Sequence, residues 1–298
     1  MTHPNARFGL SAAISTPFDA ALRPDPTRLV AHAKSLLANG CDSITLFGTT
    51  GEGASLGDRE RAVLTKACVD AGFNFRKQVL VGIAVPAVET AIAQSKLALD
   101  MDCRGLLVAP PFYFKGASDD ALFAWHAEYF TGLGAAARDV FLYHLPSVTA
   151  VPLSVALIGR LKTAFPKAVA GVKDSSGQWS NTQALLAAHR ELRILVGDER
   201  QLAQAVREGG SGAICGMANL EPAKMARLID RAEDDASIRA LVDAIVKLPV
   251  MSAVKALIAH RLRDPQWAVM RPPLEALDAR QAASIVASYE SIMGAKAA

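Results

Sequence analysis

Residues 168–177 read Ala168-Val-Ala-Gly-Val-Lys173-Asp-Ser-Ser-Gly177. Six residues of strand character end in a lysine, and a polar turn follows at once. Lysine is seldom buried, because taking an ammonium out of water is costly. In a barrel of alternating strands and helices, the C-terminal strand ends are where the chemistry sits. Desolvation at such a place favours the free amine, which can attack a ketone. Arginine never loses its proton and could not do this. A strand-end lysine reaching solvent has the same local pattern, so the rest of the chain has to decide.

Outward from this segment the pattern alternates from residue 10 to about 230. Strands are expected at Ser11–Ile14, Ser43–Leu46, Val79–Ile83, Gly105–Val108, Val140–His144, Val169–Lys173, Ile194–Val196 and Ala213–Cys215. Amphipathic segments lie between them: Pro26–Asn39, Asp58–Ala71, Val88–Leu99, Asp119–Gly132, Leu153–Thr163, Asn181–His189 and Arg200–Glu208, with an eighth helix at Pro222–Arg231. Eight strand–helix units read as an α/β fold, a (β/α)8 TIM barrel. A doubly wound sheet is the alternative, but it often has a Gly-rich turn after its first strand, and none occurs here. Past residue 232 the strand signal ends, and Ala236–Leu248, Met251–Arg263 and Leu274–Ile292 read as helices. Residues 1–232 therefore form the expected barrel, and 233–298 a C-terminal helical extension.

The 298 residues are 51% apolar and 20% charged, enough for a large core. A net charge of +3 without a Lys/Arg cluster argues against nucleic acid. No run of roughly 18 apolar residues suggests a membrane span. The start, Met-Thr-His-Pro-Asn-Ala-Arg7, lacks the apolar core of a leader, which points to the cytoplasm. Cys41, Cys68, Cys103 and Cys215 form no CxxC pair, as expected of reduced thiols. No His/Asp/Glu cluster has ligand spacing, so no metal is expected.

Residues at strand ends and in the following loops share one face of a barrel. After the second strand comes Phe47-Gly48-Thr49-Thr50-Gly51-Glu52-Gly53. Its hydroxyls and free N–H groups suit a carboxylate, although a plain turn has the same composition. After the fourth comes Pro110-Pro-Phe112-Tyr113-Phe114-Lys115, whose aromatics need burial as a plug over the barrel or against a partner. Alternation puts Phe141 and Tyr143 on one face of the fifth strand and Leu142 and His144 on the other. The same count groups Val169, Gly171 and Lys173, so Tyr143 and Lys173 become neighbours, with Gly171 leaving room beneath the lysine. His144 reads as a core histidine. Asp198 and Glu199 follow the seventh strand and either hold substrate hydroxyls or cap the next helix, capping being the role expected of at least one.

Gly48-Thr-Thr-Gly-Glu52, Tyr143-His-Leu-Pro-Ser147 and Gly171-Val-Lys-Asp-Ser-Ser-Gly177 stand in the order and spacing of one family. From about residue 8 to 292 the chain resembles the dihydrodipicolinate synthase / N-acetylneuraminate lyase superfamily, class I aldolases and lyases on (β/α)8 barrels. The resemblance implies that Lys173 condenses with the ketone of pyruvate and that Tyr143 moves protons. It implies that Thr49 and Thr50 in the loop opened by Gly48 contact the 2-oxo acid carboxylate and extend the relay, and that the Ile214 carbonyl faces pyruvate. Tyr113 resembles a loop tyrosine lent by a neighbouring subunit, which implies a homodimer or homotetramer. The partners implied are a small 2-oxo acid and an aldehyde, with no cofactor, because the imine itself is the electron sink.

Two departures matter. Synthases of this family carry an arginine that grips the aldehyde's carboxylate; the matching position here is Val148. Asp198-Glu199 resembles the pair with which the sialate lyase branch holds hydroxyls, but that branch has Gly-Ser-Thr-Gly-Glu where this chain has Gly48-Thr-Thr-Gly-Glu52. An aldolase for a 2-keto-3-deoxy sugar acid is the expected activity, with the synthase, a Schiff-base dehydratase or deaminase, and a silent keto-acid-binding barrel as alternatives. A phosphate-binding isomerase fits poorly, since Gly209-Gly-Ser-Gly212 precedes the last strand.

Overall fold

The structure is a computed structural model that describes residues 7–294. The outer ends of the two expected units, residues 1–6 and 295–298, lie outside the described residues. Eight parallel strands close into one barrel: β1 (Gly9–Ala13), β2 (Ser43–Leu46), β3 (Val79–Ile83), β4 (Gly105–Val108), β5 (Val140–His144), β6 (Val169–Asp174), β7 (Arg193–Val196) and β8 (Gly212–Cys215). β8 returns to pair with β1, Gly9 opposite Gly212 and Ser11 opposite Ile214. The barrel helices are α1 (Pro26–Ala38), α2 (Asp58–Asp70), α3 (Val88–Asp100), α4 (Asp119–Leu133), α5 (Val155–Ala164), α6 (Trp179–Ala188), α7 (Leu202–Arg207) and α8 (Pro222–Arg231). Three more form the extension: α9 (Ala236–Ile245), α10 (Val250–Leu262) and α11 (Ala279–Gly294).

Strand alternation divides the core in two. Leu10, Ile44, Val81, Leu106, Leu142, Val172, Ile194 and Ala213 join the large cluster beneath the helices. Leu80, Leu107, Phe141, Tyr143, Leu195 and Ile214 form a separate cluster inside the barrel. Each strand is thus buried on both faces, which is why the strands read as near-continuous apolar runs. Helix starts are fixed by the sequence: Asp25, Ser118 and Ser154 each accept the N–H three residues on, and Pro26 occupies the first turn of α1.

Boundaries shift where caps were not read. β1 starts two residues before the expected Ser11, and β6 runs on to Asp174. α9 ends at Ile245, short of Pro249, which disfavours helix at the residue before it and instead opens α10. The last helix starts at Ala279 rather than Leu274, because Asp278 Oδ1 accepts the Gln281 N–H at 2.7 Å and caps it.

Candidate active site

Register brings the lysine and the tyrosine together. Tyr143 on β5 is directly opposite Lys173 on β6, and both are almost wholly buried. Lys173 Nζ donates to the Tyr143 hydroxyl at 3.1 Å and stands 4.2 Å from the centre of its ring. On the other side the Tyr143 hydroxyl is 3.3 Å from Thr49 Oγ1. Lys, Tyr and Thr therefore form one continuous hydrogen-bonded row, a path along which a proton can move. Burial pushes the Tyr143 phenol up, but the Lys173 charge and hydrogen bonds from Thr49, Lys173 and Ser175 outweigh it, and the net shift is downward. A phenol held below its ordinary value gives up its proton more readily.

Gly171 makes room, though not for the lysine. A Cβ there would lie 2.9 Å from the Phe141 ring and 2.2 Å from the Arg193 carbonyl oxygen. The missing side chain lets Phe141 fill the layer under the row. His144, on the outer face, accepts the Leu153 N–H at Nδ1 (3.0 Å) and is a core residue, as its parity predicts.

The Thr49–Thr50 loop is held from three sides. Gly51 and Gly53 both donate to the Gly48 carbonyl at 3.1 Å, and Glu52 donates to Thr49 at 3.0 Å. The N–H groups of Thr49 and Thr50 find no partner among the described residues and are free for an anion. A Cβ on Gly53 would sit 1.9 Å from the Phe47 carbonyl oxygen, so only glycine permits this closeness. Buried Arg61 of α2 donates to the carbonyls of Gly82 (2.6 Å) and Gly53 (3.4 Å). Glu52 itself is fully buried and paired with Lys255 of α10 at 2.6 Å, and its second oxygen accepts the Arg271 N–H at 3.2 Å. Sequence reasoning missed this pair. The signal was a lysine embedded in the apolar run Val250–Ile258.

Lys173 opens into a cavity of about 460 Å³ at the C-terminal end of the barrel, lined also by Thr49, Thr50, Glu199, Ile214 and Val250. A second cavity of about 400 Å³ adjoins it, carries Gly48 and Phe112, and shares Thr49, Tyr143, Leu145, Val148 and Met251 with the first. Of the two, the first holds the Lys173 amine.

Asp198 takes the capping role. Its Oδ1 accepts the Arg200 N–H at 3.1 Å, and its two oxygens bind the Arg200 guanidinium at 2.9 and 2.7 Å. Glu199 is the carboxyl left for the cavity, with one oxygen accepting the Met217 N–H at 3.0 Å. Burial, aided by the charge of Asp198, raises its pKa above the ordinary value against the pull of Met217 and Lys173. The aromatic loop is no plug: Tyr113 is 72% exposed and Phe114 78%, and Tyr113 lines neither cavity of its own subunit. The four cysteines are free and buried, and burial pushes the thiols of Cys41 and Cys68 up to about 12. Among the described residues no cluster of His, Cys, Asp and Glu could hold a metal, and no helix is long and apolar enough to cross a membrane.

The geometry can be set beside known proteins. The chain is 46% identical to a dihydrodipicolinate synthase of Agrobacterium tumefaciens, whose crystal structure superposes with a TM-score of 0.94 over 96% of this chain and 99% of that one. A Sulfolobus solfataricus 2-keto-3-deoxygluconate aldolase variant shares the fold at 23% identity, with a TM-score of 0.83 over 96% of both chains. An uncharacterized DapA-like lyase of Chloroflexus aurantiacus is 32% identical over 96% of this chain and 97% of its own length. The sequence profile of the dihydrodipicolinate synthetase family matches residues 7–291, and with the barrel and its three motifs in register, the chain belongs to that family.

Proposed function

We propose that this lyase-family barrel works through a Schiff base on Lys173, making or breaking the C3–C4 bond of a 2-oxo-4-hydroxy acid. The observation that carries the reading is the row Lys173 Nζ to Tyr143 hydroxyl (3.1 Å) to Thr49 Oγ1 (3.3 Å) at the floor of an open cavity. The 2-oxo acid carboxylate docks on the hydroxyls and free N–H groups of Thr49 and Thr50. The Lys173 amine adds to the ketone, water leaves, and the resulting iminium accepts electrons. In the cleavage direction Tyr143 takes the proton of the C4 hydroxyl. The C3–C4 electron pair moves into the iminium as the aldehyde leaves, and the enamine of pyruvate remains. Protonation at C3 and hydrolysis release pyruvate and regenerate the amine. No step calls for a cofactor.

A 2-keto-3-deoxy sugar acid has this 2-oxo-4-hydroxy core, and Glu199, which lines the cavity with Lys173, is at hand for a hydroxyl near the reacting carbons. Identity to the Agrobacterium synthase favours aspartate semialdehyde instead. Against that substrate stands Val148, a side chain with no charge for its carboxylate. Exposed Tyr113 and Phe114 support an oligomer in which the Tyr113 loop is covered by a second subunit.

The test is pyruvate with sodium borohydride, followed by peptide mass mapping. One reduced pyruvate on Lys173 is expected. A fully unmodified Lys173 under saturating pyruvate refutes the mechanism.

A further inference from the structure

We propose that the aldehyde half of the substrate ends in an uncharged apolar group, alkyl or aryl, rather than in a carboxylate or a polyol chain. This rests on the Schiff-base reading above, concerns what lies beyond C4 and, for that part, supplants the sugar acid.

The cavity around Lys173 is graded. Its floor is polar: Thr49, Thr50, Ser175 and Glu199 surround the amine. One side of its rim is apolar: Val148 from the turn after β5, Val246 from the end of α9, and Val250 and Met251 from α10, facing Ser147, Ser176 and the Asp198–Arg200 pair. Val148, Val246 and Val250 are 62%, 47% and 45% exposed, a high exposure for three β-branched apolar side chains gathered at one mouth. A patch of this kind beside a reactive group is suited to an apolar ligand.

Charge tells the same story. Apart from Lys173, the cation lining this cavity among the described residues is Arg200. Its guanidinium is taken by Asp198 (2.9 and 2.7 Å) and Asp243 (2.8 Å). Lys115, near the same turn, donates to the backbone carbonyls of Phe112 and Thr149, the latter at 3.0 Å. A carboxylate at the rim would meet no free counter-ion, since the guanidinium that lines the cavity is already paired twice. A polyol would lose water hydrogen bonds against Val148, Val246, Val250 and Met251, with Ser147 and Ser176 the hydroxyls near the mouth and Asp198 already spent on its cap and its arginine. The adjoining cavity, which shares Leu145, Val148 and Met251, gives a longer apolar tail somewhere to go.

The experiment first confirms borohydride trapping of pyruvate on Lys173 in the wild-type protein. Condensation of pyruvate is then measured with butanal, benzaldehyde, glyceraldehyde, succinic semialdehyde and aspartate semialdehyde. The two apolar aldehydes should exceed the other three in kcat/KM by at least about tenfold. Val148→Arg should reverse the order in favour of the semialdehydes. If trapping succeeds and glyceraldehyde or a semialdehyde is preferred, the proposal is wrong while the Schiff base stands. If trapping fails, both fall. The double variant Val246→Ser/Val250→Ser should lower the apolar preference at least about tenfold. If it changes the sedimentation of the protein and leaves the aldehyde ratio unmoved, these valines serve a subunit contact and the proposal is overturned.

Discussion

Replacing Lys255 by Met should be among the most damaging single substitutions in this chain that touch no cavity. The two side chains of the Glu52–Lys255 pair are 0% exposed and 2.6 Å apart. Methionine fills most of the same volume but leaves the Glu52 carboxylate with the Arg271 N–H at 3.2 Å as its remaining partner. An unpaired buried charge of this kind destabilises by about 3–5 kcal/mol. Because the pair holds the loop that carries Thr49 and Thr50, its loss should also misplace the carboxylate site, and about a 1 Å shift there can slow reaction up to about 100-fold. Urea denaturation measures the first effect, and the rate of borohydride trapping with pyruvate the second. The double variant Glu52→Gln/Lys255→Met should recover most of the stability, since an amide accepts the Arg271 N–H without a charge to bury. A single variant within about 1 kcal/mol of wild type, or a double variant no better than the single, would refute the reasoning.

Tyr143→Phe should keep the Lys173 adduct, formed more slowly, and lower kcat by about 10²–10⁴-fold, read in a pyruvate-release assay. Mixing Lys173→Ala with Tyr113→Phe under subunit exchange should restore activity if the Tyr113 loop completes a neighbour's site; an exchanged mixture that stays inactive ends that idea. Stability should fall as pH drops from about 6.5 towards 4. Burial lowers His32 and His126 to about 4, so the unfolded chain takes up protons in that window that the folded chain refuses. Each histidine accounts for up to roughly 3 kcal/mol, and urea midpoints that do not move between pH 7 and about pH 4.5 would contradict it.

The barrel was legible because strands and helices differ in period, and because parity along β5 and β6 is enough to set Tyr143 beside Lys173. Counting fails where no ladder links the residues. Glu52 and Lys255 are 203 positions apart and meet through a helix whose placement on the barrel mouth has no local signature. Asp198 and Glu199 are adjacent acids, and the turn geometry after β7 alone decides which one caps and which one faces the cavity. Gly171 was read as room beneath the lysine, but it is Phe141 of the neighbouring strand that packs against it. Tyr113 and Phe114 stay exposed on the chain's own fold, so neither periodicity nor parity says what they meet.

The same buried pair has a meaning for how the protein is made. Translation delivers Glu52 early, while Lys255 and the Arg271 N–H that complete its surroundings emerge near the end. β1 also waits for β8 before the barrel can close. A nascent chain stalled after the eighth strand would have its lysine and tyrosine in place, yet its threonine loop would still lack its anchor. Any circular permutant that keeps this loop anchored has to keep residue 255 within reach of residue 52.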